Sequence, residues 1–122
     1  MERFIDVAVE QFARDHTEPE TELYVRLRQE TYRVMNWPEM QVDVIEGRFL
    51  KMLVRLTGAR SVLELGMFTG YSTLMMAEAL PDDGRLITCE IVLKPRQSRD
   101  GTLLRVLTDT KLPSEWDQRW TQ

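Results

Sequence analysis

The 122-residue chain has one cysteine, one histidine and no long apolar run. A single Cys excludes an internal disulfide, so a reducing, cytoplasmic setting is expected. Cys89 closes an apolar stretch and reads as a small hydrophobe rather than a nucleophile. His16 has no evident partner for acid–base or metal chemistry and is expected at the surface, at a helix end. Nothing approaches the ~20 apolar residues of a bilayer span, so no membrane partner is expected. The opening "MERFIDVAVEQFARD" is acidic and amphipathic, unlike a secretory leader. Clustered Lys and Arg are missing too, and the net charge is −4. A nucleic-acid surface would need the opposite balance. Neither a repeat nor a low-complexity segment is visible.

Hydrophobic residues make up 43% of the chain, enough for one modest core and too many for global disorder. Charge is uneven: residues 1–46 hold 11 acids and 5 bases, residues 47–90 hold 5 of each, and residues 91–122 hold 4 acids and 6 bases. Phe4, Ile5, Ala8, Val9 and Phe12 recur at helical spacing and predict a first amphipathic helix. Thr17 as cap, Pro19 in the first turn and Glu20 three residues after Thr17 predict a second helix. It runs to about Val34, with Leu23, Tyr24 and Leu27 inward. Asn36–Pro38 is a break. Asp43 and Glu46 form the capping box of a third helix, whose stripe is Ile45, Phe49, Met52, Leu53 and Leu56 and whose end is Gly58.

"SVLEL" from Ser61 is a short apolar strand of the kind buried on both faces of a parallel sheet. "YSTLMMAEAL" predicts a fourth helix with Met75 and Met76 in the core, and "PDDG" stops it. "RLITCEI" is a second strand. Residues 44–91 therefore read helix–strand–helix–strand, with a crossover long enough for a right-handed βαβ unit.

Ligands of open parallel sheets sit at the carboxyl ends of the strands. Glu64 and the loop Gly66–Gly70 occupy that end of the first strand. The glycines permit positive φ and close approach of a ligand, and the helix start that follows favours an anion. Glu64 favours a cation. Ammonium and carboxylate together describe an amino acid. Glu90, at the tip of the second strand, suits a ribose diol. Ribose and amino acid in one ligand point to S-adenosylmethionine (SAM). The G-x-x-x-G spacing differs from the dinucleotide G-x-G-x-x-G, which disfavours an NAD-dependent oxidoreductase. Each acid alone also fits a solvated strand end, and Ser72 alone a helix cap.

The stretch "GRFLKMLVRLTGARSVLELGMFTGYSTLMMAEALPDDGRLITCEI" resembles the cofactor-binding half of the caffeoyl-CoA and catechol-type O-methyltransferases. The likeness runs without gaps from about Gln41 to Ile91. It implies an α/β fold: N-terminal helices plus the first part of a Rossmann-like SAM-dependent methyltransferase sheet, truncated. By resemblance Val42, Glu64, Gly66, Met67 and Ser72 contact the methionine part of SAM and Glu90 its ribose. Residues 1–40 become a helical cap and dimerisation segment, and 41–91 a partial SAM-binding domain. The implied reaction is methyl transfer to a hydroxyl of a small, catechol-like acceptor, with a divalent metal, commonly Mg, as Lewis acid. A homodimer is implied as well.

Residues 92–122 depart from that pattern. They lack a sustained period, and no metal-ligand motif or catalytic residue can be placed on them; Asp109 and Asp117 read as surface acids. Restoring one base near the Val92 codon opens a reading that starts with an acid and proline and continues into an Ala/Arg helix. The expectation is a truncated or frame-disrupted methyltransferase that keeps half a cofactor site and is marginal in stability, with Leu103, Leu104, Val106 and Leu107 as a makeshift third strand. The rival expectation is a non-enzymatic binding or oligomerisation module retaining a relic SAM half-site.

Overall fold

The computed structural model describes residues 4–91 and 104–108. Among the described residues the helices are α1 (Val7–Asp15), α2 (Glu22–Val34), α3 (Val44–Leu56) and α4 (Tyr71–Ala77), with a 3-10 turn at Pro38–Met40. Three strands, β1 (Ser61–Leu65), β2 (Arg85–Ile91) and β3 (Leu104–Thr108), form one sheet in the order β1-β2-β3. β1 and β2 are parallel and joined through α4, the expected crossover. β3 runs antiparallel to β2, where a makeshift strand was expected. The remainder of the 92–122 tail, with Asp109 and Asp117, lies outside the described residues.

Local chemistry explains where the helices begin. The Asp6 carboxylate accepts from the Ala8 N–H at 2.7 Å, so α1 starts at Val7 and Phe4 and Ile5 stay outside it. Asp43 Oδ1 accepts from the Glu46 N–H at 3.0 Å, the expected cap of α3. Thr17 does not cap α2. Its hydroxyl donates to the Ala13 carbonyl at 2.6 Å and so closes α1, and α2 begins only after Thr21. His16 lies exposed at the end of α1, its ring stacked on Phe12.

Two apolar clusters hold the chain together. Tyr24, Leu27, Tyr71, Leu74 and Met75 join α2 to α4, with Val42 packed against them. Val54, Met76 and Leu86 join α3, α4 and β2, with Leu50 and Val62 alongside. The expected inward stripe of α3 is corrected here. Phe49, Met52, Leu53 and Leu56 are exposed, and the packed side carries Gly47, Leu50 and Val54. A Cβ on Gly47 would lie 2.8 Å from Tyr71 Cε1, so glycine is what lets α4 come this close. The apolar stripe of α1 is exposed as well, as is Leu23 of α2.

Burial of β1 on both faces is also corrected. Ser61, Leu63 and Leu65 alternate on an uncovered face and Leu65 is 78% exposed, because the described helices pack on the other face, where Val62 and Glu64 point. Cys89 is half-buried.

Candidate functional site

Strand pairing brings the two acids together. Glu64 of β1 pairs with Thr88 of β2, and Glu90 lies two residues beyond Thr88, hence on the same face of the sheet. Glu64 is 7% exposed and Glu90 9%. The Glu64 carboxylate collects three hydroxyls. Ser72 Oγ donates to Oε1 at 2.5 Å, Thr88 Oγ1 donates to Oε2 at 2.6 Å, and Thr73 Oγ1 also donates to Oε2. A carboxylate this deep needs such donors to offset its lost hydration. The expected pair Glu64 and Ser72 is therefore in direct contact, and the bond ties the tip of β1 to the first turn of α4.

The loop between them is shaped by three positive φ angles: Gly66 at 93°, Phe68 at 52° and Gly70 at 98°. Gly66 donates to the Cys89 carbonyl at 2.8 Å, a bond of the last β1–β2 pair, Leu65 with Cys89. Gly70 donates to the Met67 carbonyl at 2.9 Å and closes the turn. Left-handed φ is uncommon for a bulky side chain such as Phe68 and persists where surroundings over-determine it. Here its N–H donates to Glu90 Oε2. The second acid thus holds the apex of the loop that follows the first strand.

The other expected site residues stand around this centre. Met67 is buried, and its carbonyl accepts the Gly70 N–H. Val42 packs against the α2–α4 cluster. Its neighbour Gln41 donates through Nε2 to Thr69 Oγ1 of the loop at 2.9 Å. Phe68, Thr69, Thr73 and Thr88 escaped the sequence reading. Thr88 alone carried a signal, as a polar residue in mid-strand, and only the register shows that it faces Glu64.

Acceptor capacity remains on this face. Among the described residues, Oε1 of Glu64 receives one hydroxyl and Oε1 of Glu90 receives none. Gln41 Oε1 is buried without a partner. A Cβ at Gly66 would meet no heavy atom within 4 Å, so the backbone there is open to close approach. Open acceptors beside bare backbone suit a ligand rich in N–H and O–H donors. Among the described residues, no group of three or more His, Cys, Asp or Glu is placed to hold a metal ion.

Two further carboxylates pair with the buried tyrosines of the α2–α4 cluster. Tyr71 donates to Glu20 at 2.7 Å and Tyr24 to Glu78 at 2.6 Å, with the two rings edge to face at 5.1 Å. Arg28 bonded to Glu20 holds that carboxyl below the usual range. Burial would raise the Glu78 carboxyl, but bonds from Lys51 and Tyr24 bring it below the usual range. Burial, then the carboxylate partner, pushes both phenols up.

The sequence model of the O-methyltransferase family matches residues 14–99. The chain belongs to the O-methyltransferase family. Caffeoyl-CoA O-methyltransferase 2 of Petunia hybrida is 47% identical over 55 residues, 45% of this chain and 23% of the relative. The solved O-methyltransferase of Bacillus cereus, in complex with SAH, matches with TM-score 0.59 at 36% identity, over 66% of this chain and 36% of that one. TomG of Streptomyces achromogenes, an O-methyltransferase involved in tomaymycin synthesis and solved with SAM, matches with TM-score 0.58 at 36% identity, over 66% and 36%. The helices and the parallel β1–α4–β2 unit thus correspond to the N-terminal part of a Rossmann-like methyltransferase fold. The chain spans a third or less of the length of the curated relatives it matches.

Proposed function

We propose that this chain is the cofactor-binding part of a SAM-dependent O-methyltransferase, with residues 1–40 as a helical cover and 41–91 as the binding segment. One observation carries the reading: two buried acids share a sheet face, Glu90 bonded to the loop apex at Phe68 and Glu64 bonded to Ser72 and Thr73 in the first turn of the helix that follows. The relatives solved with SAM and SAH support the same ligand.

When bound, SAM supplies a methyl group on a sulfonium for transfer to a hydroxyl of a small, catechol-like acceptor. The residues divide the binding. Glu90, whose Oε1 has no partner among the described residues, accepts from a ribose diol. Glu64 at Oε1 and the buried Gln41 Oε1 are acceptors for an ammonium group. Gly66 and Met67 present backbone, Val42 walls the site, and Ser72 anchors α4 through Glu64. The divalent metal of the catechol-type enzymes does not fit the described residues, which offer no ligand cluster, and no step is assigned to it.

Isothermal titration of the chain with SAH tests the reading. Saturable one-site binding that Glu90→Ala removes is expected. A folded wild-type chain that binds no SAH overturns it. The exposed Leu56, Leu63 and Leu65 favour the second reading, an oligomerisation module. A defined dimer indifferent to SAH is its signature.

A further inference from the structure

A second polar cluster reaches the loop at Thr69, next to the residue that Glu90 holds. Thr31 of α2, Gln41 and Thr69 form a closed triangle. Gln41 Nε2 donates to Thr31 Oγ1 and to Thr69 Oγ1, each at 2.9 Å. The two hydroxyls are 2.9 Å apart, and Thr31 Oγ1 lies 2.8 Å from the Leu27 carbonyl. Proton counting fixes the directions. Thr31 has one hydrogen and the Leu27 carbonyl can only accept, so Thr31 donates there and Thr69 donates to Thr31. Both amide hydrogens of Gln41 are then used, and four protons make four bonds. Turning the amide over would leave only the two hydroxyl protons for the cluster. Thr31 and Thr69 are both buried.

Thr69 lies between Phe68 and Gly70, two of the three positive-φ positions. A conformation of this kind needs holding from more than one side. Glu90 holds Phe68 through its N–H, and the triangle holds the next residue through its side chain. Gln41 also precedes Val42, so one amide links the loop to the segment leading into α3.

We infer that Thr31 and Gln41 are positioning residues for the cofactor loop, coupling α2 to residues 66–70 through the Thr69 hydroxyl. The ligand consequence rests on the cofactor reading above; the loop consequence does not.

Thr69→Val removes the hydroxyl at nearly constant volume, and Thr69→Ser keeps it. Amide hydrogen exchange across residues 66–70 and SAH affinity are the two measurements. Thr69→Val is expected to speed exchange in the loop about tenfold and to weaken SAH by a similar factor, the scale of one buried hydrogen bond. Thr69→Ser is expected to stay within about twofold of wild type. Gln41→Leu, which removes both amide donors at a half-buried position, repeats the Thr69→Val result if that variant folds poorly. Tyr24→Phe is the structural comparison. It breaks the Tyr24–Glu78 bond without touching the loop, and is expected to lower Tm while leaving loop exchange and SAH affinity unchanged. Wild-type exchange and affinity in Thr69→Val and Gln41→Leu overturn the inference. So does Thr69→Ser behaving like Thr69→Val, or Tyr24→Phe loosening the loop equally. If wild type binds no SAH, the cofactor reading falls and the exchange measurements alone decide the coupling.

Discussion

Ser72 Oγ lies 2.5 Å from Glu64 Oε1, and this bond fastens the first turn of α4 to the tip of β1. With Thr73 and Thr88 on Oε2, Glu64 works as an internal cap as well as a candidate ligand group. Glu64→Gln removes the charge that draws three hydroxyls together and places an NH2 group against donors. The expected cost is about 2–3 kcal/mol in a urea melt, the range for bonds to a buried charged acceptor. Ser72→Ala removes one donor and is expected to cost about 1 kcal/mol. Equal losses for the two variants would show that the Thr73 and Thr88 bonds contribute nothing.

Gly47 and Gly66 are required for different reasons, and alanine separates them. Alanine at Gly47 gains about 0.5–1 kcal/mol of helix propensity. Its methyl would meet Tyr71 Cε1 at 2.8 Å and Met75 Cγ at 3.1 Å, however. Overpacking of this kind costs about 1–3 kcal/mol, so a net loss of roughly 1 kcal/mol is expected. At Gly66 the methyl meets nothing, but φ is 93°. That cost is backbone strain of about 1–2 kcal/mol. SAH titration distinguishes them further: Gly66→Ala is expected to weaken binding, because its methyl occupies the open approach, and Gly47→Ala to leave it near wild type.

How far the sequence revealed this arrangement depends on what kind of signal each part left. Glu64, the loop glycines and Glu90 were legible because acid, glycine loop, helix start and second acid in succession form a pattern that none of them makes alone. Their companions Thr69 and Thr73 were hidden, since a threonine in a turn or helix signals nothing until a partner faces it, and Thr88 stood out only as a polar residue in mid-strand. The α3 stripe misled for a physical reason. Counting apolar residues selects Phe49, Met52, Leu53 and Leu56, but α4 can approach only where Gly47 leaves room. "SVLEL" likewise reads as doubly buried, yet burial depends on a neighbour that the strand's own residues cannot specify. Thr17 resembles an N-cap in spacing, but its hydroxyl found the Ala13 carbonyl behind it first.

Stability is expected to form a plateau in pH with a fall on each side. The folded-state carboxyls of Glu20 and Glu78 lie below their ordinary 4.5, so their contribution is present above that pH and is lost as pH falls through the depressed values. The phenols of Tyr24 and Tyr71 are raised above their ordinary 10.0. Their contribution is present below that pH and is lost progressively as pH rises beyond it. Urea midpoints measured across the pH range check this. The Tyr24→Phe, Tyr71→Phe double variant is expected to flatten the alkaline fall, and an unchanged alkaline limb would show that other groups cause it.

The uncovered face of β1 gives the last prediction. Leu63 is 65% exposed and Leu65 78%, and the β1–β2 register sets Leu63 beside the exposed Ile87. An apolar patch on a strand that has one side unpaired among the described residues is a template for association. Leu63→Thr with Leu65→Thr keeps a residue type that suits strands while removing apolar surface. If the face is bare, stability should change by less than about 0.5 kcal/mol per site. Concentration-dependent association in sedimentation velocity should drop sharply at the same time. If the face is instead covered in the molecule, truncating buried leucines costs about 2–5 kcal/mol each, and the double variant would scarcely fold. The two outcomes are far enough apart that one thermal melt, read beside one sedimentation series, separates a sheet that presents its leucines to solvent from one that has found a partner for them.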